Sequence, residues 1–195
     1  MSKSERLKEF YMRYMTKYSD EEFVSGYGNI DSRILLVGEA PGREEVKFGI
    51  PFVGSAGKNL ETFLKKLELA KEDIYTTNAI KYRLSKISKK TGGKINRPAI
   101  VREIEAAVRT LQEEVDIIRP SFIITLGNVP LKTLTYDFFR PIGEVHGEYL
   151  TINILGRSYS LIPLYHPASL IYNRSLVTVY DDDVNRLKKY IEGVK

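Results

Sequence analysis

The sequence contains no cysteine, and its two histidines are His146 and His166. With no thiol there is no disulfide, no thiolate nucleophile and no cysteine-held metal or iron–sulfur centre. Two histidines also argue against a histidine-rich metal site, so neither a metal nor a cofactor is expected. Long apolar runs are missing too: none approaches the roughly 20 residues that cross a bilayer. Residues 1–10 lack the apolar segment of a signal peptide. These absences predict a cytoplasmic protein with no membrane partner. No Gly-Lys-Ser/Thr and no Gly-x-Gly-x-x-Gly occurs, which disfavours a nucleotide-binding enzyme built on the usual phosphate loops.

What is present suits a sizeable core. The 195 residues are 43% hydrophobic, enough for one globular domain over residues 1–195. A net charge of +5 is compatible with an anionic partner such as nucleic acid. Residues 81–97 hold seven lysines and arginines and no acid, with Gly92-Gly93 in the middle. That composition predicts a flexible basic loop.

Periodicity supplies the elements. Residues 4–17 read as a helix with Ser4 at its cap and Leu7, Phe10, Tyr11 and Tyr14 on one face. Residues 19–29 connect it to a first strand over 33–37. A helix capped by Ser55 carries Leu60, Phe63, Leu64 and Leu67 as its apolar stripe. A second strand lies at about 74–80, and Pro98 fits the first turn of a long helix to about 118. A strand over 122–126 and a short helix through Leu131 and Leu134 follow. Residues 148–154 then pair with 159–164 across Gly156, and a final helix covers about 179–191. Alternating strands and helices, with continuous apolar strands, predict an α/β fold. The expected form is a three-layer sandwich with a central, mainly parallel four-stranded sheet flanked by helices.

Residues 38–57, GEAPGREEVKFGIPFVGSAG, carry five glycines and two prolines between a strand and a helix. Glycines let backbone approach a ligand closely, and a loop this long is more often functional than not. In open α/β sheets ligands bind at the carboxyl ends of the strands. There Glu39, Asn78, Asn128 and His166 converge, with Phe52 arching over the cleft and Lys81, Arg83 and the basic loop alongside. An amide, an imidazole and an aromatic plate suit a planar heterocycle, and neighbouring positive charge suits a base lifted out of DNA. Each residue also has a plainer reading. Glu39 could receive helix-start amides, Glu44 could stand in for Glu45, and Phe52, Leu170 and His166 could be core residues. His146 reads as a surface turn residue.

The motifs GEAPGREEVKFGIPFVGSAG, TTNAIKYR, INRPAIVREIEAAV, IRPSFIITLGN and YHPASLIYNRSL occur in that order. Together they resemble the uracil-DNA glycosylase superfamily, closest to its family 4 branch. The resemblance implies a monofunctional glycosylase that flips uracil out of DNA and hydrolyses its N-glycosidic bond, leaving an abasic site. It implies that Glu39 and the backbone around Ala40 and Gly42 hold the attacking water and form the pocket floor, with Glu45 assisting. By the same likeness Phe52 stacks on the base, Asn78 reads its edge, and His166 donates to the uracil O2 as negative charge develops. Leu170 would fill the vacated stack, with Ser169, Arg174, Lys81, Arg83, Lys89, Lys90 and Lys94 on the DNA.

The chain departs from that pattern where family 4 members typically hold an iron–sulfur cluster on four cysteines. Tyr82 stands at one ligand position, and Phe10, Tyr11 and Tyr14 replace a Cys-x-x-Cys pair, so aromatics are expected to pack the vacated place. Val46 stands where an acid usually follows. Hypoxanthine and xanthine remain open as substrates, the protein is expected to be a monomer, and the alternative is a non-catalytic module binding damaged or abasic DNA.

Overall fold

The computed structural model describes residues 1–193, apart from the side chains of residues 55 and 56. The chain opens with helix α1 (Lys3–Lys17), a short strand β1 (Tyr27–Gly28) and strand β2 (Ile34–Gly38). Helices α2 (Arg43–Phe48) and α3 (Gly54–Lys66) lead to β3 (Ile74–Asn78). A small ribbon, β4 (Ser85–Ile87) and β5 (Lys94–Asn96), precedes the long α4 (Val101–Ile118). After β6 (Phe122–Leu126) come α5 (Asn128–Thr135), α6 (Ile142–Val145), β7 (Leu150–Ile154) and β8 (Arg157–Leu164). The chain closes with α7 (Ser169–Tyr172) and α8 (Leu176–Glu192).

The main sheet runs β1-β3-β2-β6-β8-β7. Its centre is the four parallel strands β3, β2, β6 and β8. The antiparallel strands β1 and β7 widen it to six. Every residue of β2, β3 and β6 is buried, because helices cover both faces. Leu35, Val37, Tyr75, Ile123 and Leu161 pack against Phe10 of α1, Leu111 and Val115 of α4 and Leu131 of α5. The alternate residues, Leu36, Ile74, Ile124 and Ile162, pack against Leu60, Phe63 and Leu64 of α3 and Val184 and Leu187 of α8. The period of two in a strand thus feeds two separate cores. Truncating the fully buried Leu36 to alanine costs roughly 2–5 kcal/mol.

Several boundaries differ from the sequence reading. α1 is capped by Ser2, not Ser4: the Ser2 hydroxyl accepts from Glu5 N, and Glu5 answers by accepting from Ser2 N at 2.7 Å. α3 starts at Gly54 with Val53 in the capping position, and the Ser55 side chain lies outside the described residues. α4 starts three residues after Pro98, because the Glu103 carboxylate accepts from Ile100 N at 2.9 Å and fixes the first turn there. α8 begins at Leu176. The basic stretch is a structured ribbon rather than a loop, paired Lys86 with Ile95 and Ile87 with Lys94.

Candidate active site

β2 and β3 end side by side, with Gly38 opposite Asn78. Their pairing continues past the strands: Ala79 N donates to Gly38 O (2.8 Å) and Ile80 N to Glu39 O (3.0 Å). A Cβ on Gly38 would lie 2.4 Å from Asn78 Oδ1 and 2.8 Å from Phe52 Cζ. Glycine therefore lets the amide and the aromatic ring meet over the backbone. Asn78 is 4% exposed, and its Nδ2 has no hydrogen-bond partner among the described residues. A buried donor left unmade costs roughly 1–3 kcal/mol, and an arriving acceptor would recover it. A carbonyl on the edge of a heterocycle is such an acceptor.

The glycine loop is held by its own acid. Glu45, at the third position of α2, accepts from Gly42 N and from Phe52 N (2.7 Å). Its carboxylate is therefore engaged by the loop that carries Phe52, and burial pushes its pKa up. Glu39 is half-buried and accepts from Ala99 N at 3.3 Å, with its pKa likewise raised by burial. Of the two acids, Glu39 keeps the less committed carboxylate. Ala40 and Gly42 lie in the same turn, half-buried.

His166 follows β8 across the sheet. Its Nδ1 accepts from Ala168 N at 3.1 Å, which assigns the proton of the neutral ring to Nε2. Burial lowers its pKa, so the ring is neutral at pH 7 with a donor to offer. Phe52, Asn59, Leu60, Phe63, Leu126, His166 and Pro167 enclose a cavity of about 10 Å³. Asn59, half-buried and lining the same cavity, was missed from sequence. Its signal was a polar residue one turn before Phe63 on an otherwise apolar helix face.

Other expected site residues are placed elsewhere. Lys81 is 2% exposed and paired with buried Glu114, so no ammonium there reaches a phosphate. Arg83 is buried as well, donating to Asn96 Oδ1 at 2.9 Å beside Glu22. Lys94 is exposed but lies 3.2 Å from Glu22. Lys89 and Lys90 are exposed at the ribbon's turn, and Arg174 is exposed beyond α7. Ser169 turns its hydroxyl onto His166 O at 2.6 Å, a loop-closing contact. Leu170 is half-buried against the α3–α8 core, while Ile171 and Tyr172 are 69% and 90% exposed. Asn128 accepts from Ile142 N at 2.8 Å and so holds α6 rather than facing the cleft. His146 is no plain surface residue, since its Nδ1 lies 2.7 Å from the buried Asp183 and its ring 4.8 Å from Tyr165.

Aromatic side chains fill the place where the resembled family holds its cluster. Tyr82 lies against Tyr18, ring centroids 5.0 Å apart, and Tyr18 stacks on Tyr14. Between Tyr18, Tyr82, Ala106 and Ala107 about 10 Å³ is left. There is no thiol, and among the described residues no group of three or more His, Cys, Asp or Glu is placed to hold a metal ion. These residues do not fit an iron–sulfur cluster. Phe10 and Tyr11, expected to pack that place, belong to the core beneath the sheet, and Tyr18 takes their part.

Residues 25–192 match the family model described as the uracil DNA glycosylase superfamily. The chain is 34% identical to the type-4 uracil-DNA glycosylase of Archaeoglobus fulgidus, over 85% of this chain and 80% of that one. It is 36% identical to the Saccharolobus solfataricus protein of the same name, over 87% and 76%. Against the Thermotoga maritima type-4 uracil-DNA glycosylase it is 35% identical over 87% and 83%. With a match that runs from before the first parallel strand to the last helix, the chain belongs to the uracil DNA glycosylase superfamily.

Proposed function

We propose that the protein is a DNA-repair glycosylase that takes uracil out of the DNA stack and hydrolyses its N-glycosidic bond, leaving an abasic site. The observation that carries the reading is the buried Asn78 amide with an unpaired Nδ2 over Gly38. A uracil carbonyl supplies the missing acceptor, and the neighbouring Oδ1 can accept from the ring N–H. Phe52 then lies against the ring. His166, neutral and carrying its proton on Nε2, donates to the uracil oxygen on which negative charge grows as the bond to the sugar breaks. One preorganised donor aimed at developing charge is worth roughly 3–4 kcal/mol. Glu39, half-buried at the turn, orients the water that adds to the sugar carbon and takes up its proton as the bond to the base breaks, and the uracil leaves as the anion. No step needs an amine nucleophile, so the enzyme is monofunctional.

Lys89, Lys90 and Arg174 are exposed, and on this reading they meet the backbone of the DNA. The protein works as a monomeric single domain over residues 1–195 in the cytoplasm, without an iron–sulfur cluster, the Tyr14–Tyr18–Tyr82 stack occupying that place. The test is single-turnover cleavage of oligonucleotides carrying one uracil, hypoxanthine or xanthine, with His166→Ala beside the wild type. Uracil release that collapses in the variant supports the reading. Release of another base alone changes the substrate, and no release with tight, salt-dependent binding replaces the enzyme by a binding module.

A further inference from the structure

Lys81 sits three residues beyond Asn78 and entirely inside the protein. Its Nζ donates to Glu114 on α4, to Thr77 Oγ1 (2.6 Å) and to the main-chain oxygen of Asn78 (2.6 Å). All three ammonium protons are thus spoken for. Glu114 also accepts from Thr77 Oγ1 (3.1 Å) and from the hydroxyl of Tyr11 on α1, with Tyr75 Oη 3.4 Å away. Tyr11 in turn accepts from Gly26 N at 2.6 Å. One ionic network therefore joins α1, β3 and α4, and it touches the base site at the Asn78 carbonyl.

Stability alone does not explain such a network. Desolvating two charges costs about as much as their attraction returns, and apolar side chains of similar volume often hold a fold as well or better. What an apolar pair cannot do is bind a carbonyl. Resting on the glycosylase reading, we propose that Lys81 and Glu114 are positioning residues for base recognition: the buried ammonium pins the Asn78 peptide so that its side chain stays over Gly38 with Nδ2 turned to the base. The network lies next to Tyr82, where the resemblance puts a cluster ligand. In this chain an ion pair, rather than an inorganic core, fastens the end of β3 to α1 and α4.

The test replaces the pair together, as Lys81→Met with Glu114→Leu, so that no charge is stranded. Thermal unfolding is measured alongside binding to two DNAs, one with a non-hydrolysable 2′-fluorinated deoxyuridine and one with an abasic analogue. The double variant is expected to melt at or above the wild-type temperature and to bind abasic DNA unchanged. Its uracil excision at saturating enzyme should be about tenfold slower or more, the scale of one good base-edge contact, with affinity for the uracil analogue reduced to match. A folded double variant that excises and discriminates within about twofold of the wild type overturns the proposal. Lys81→Met with Glu114→Gln, which also removes the ammonium but keeps a neutral hydrogen-bonding group for Tyr11 and Thr77, gives the same reading if the first double variant does not fold. Slower excision at an unchanged melting temperature supports placement, and a wild-type rate refutes it. Wild-type protein that releases no uracil overturns the glycosylase reading first, and this one with it.

Discussion

Gly38→Ala is the smallest change that tests the geometry of the site. The φ of Gly38 is not in the left-handed region, so alanine meets no backbone penalty there. Its methyl would lie 2.4 Å from Asn78 Oδ1 and 2.8 Å from Phe52 Cζ. The amide must retreat by about 1 Å to reach ordinary contact, and misplacement of that size costs about 10²-fold in rate. That corresponds to about 2.7 kcal/mol of transition-state stabilisation. Overpacking itself costs roughly 1–3 kcal/mol of stability, or about 2–4 °C of melting temperature per kcal/mol in a chain of this size. Rates are therefore compared well below the transition. Gly93→Ala is the control, because its new methyl comes no closer than 3.7 Å to Thr91 Oγ1. The assay is single-turnover uracil excision together with affinity for abasic DNA. The expected result is a hundredfold-scale loss of rate in Gly38→Ala, unchanged abasic affinity and no effect of Gly93→Ala. A Gly38→Ala enzyme with the wild-type rate would refute the placement of Asn78 and Phe52 as the base site.

Other variants probe the remaining parts. His166 has its folded-state pKa below the ordinary value of about 6.5, so the unfolded chain binds more protons just below that pH. The stability it contributes at neutral pH is then lost as pH falls from about 6.5 through the folded pKa. Glu39 and Glu45, raised by burial, act oppositely, their contribution fading as pH rises above about 4.5. Unfolding curves from pH 7.5 to 5 should show a flatter acid limb in His166→Gln, and an identical limb would mean the ring is not held neutral. Neutralising Lys89 and Lys90 together should lower the slope of log K against log salt by about 2, if each meets one phosphate. Fluorescence anisotropy at several salt concentrations checks it, and an unchanged slope would make the ribbon's turn a solvated face. Glu45→Ala should strand Gly42 N and Phe52 N at about 1–3 kcal/mol each where they stay buried. Denaturant unfolding measures that loss, and a neutral result would show the loop does not depend on its acid.

The central sheet was legible because strands buried on both faces leave unbroken apolar runs, as at Ile34–Gly38 and Phe122–Leu126. Strand β1 was not, since two residues carry no periodicity, and its place is set by the edge of β3. The basic ribbon read as a loop because its fastenings are distant in sequence. Arg83 reaches forward to Asn96 and back to Glu22, and Lys94 also reaches Glu22. Lys81 is the sharpest case. A lysine in a charge run is ordinarily solvated, and Glu114, far along the chain on α4, together with Thr77 Oγ1 and the Asn78 carbonyl, makes its burial tolerable. Asn128 misled for a related reason: an amide at a strand end looks like a ligand group until a partner such as Ile142 N claims it. The positions of Asn78 at the end of β3 and of His166 just past β8 were legible because motif and strand end coincided. The tautomer that matters for chemistry came from a main-chain amide two residues on, which no pattern of residue types encodes.

The space beside the Phe52 ring bears on how a base would be admitted. About 10 Å³ lies between Phe52 and His166, room for about one water and not for a pyrimidine. Phe52 itself is 6% exposed and sits at φ 55°, a conformation that stores of order 1–3 kcal/mol in a non-glycine residue. Glu45 holds it there through Phe52 N, and Gly49 and Gly54 bracket it at φ 67° and 66°. A groove of about 710 Å³ is lined by Phe52 together with Ile50, Pro51, Val53 and Tyr27. On the proposed reading, a uracil would have to shift Phe52 before stacking on it. An isolated base brings little energy for that step, whereas a strand engaged along its phosphates brings binding energy from groups that do not react. On that reading, opening would be coupled to the engagement of the DNA backbone.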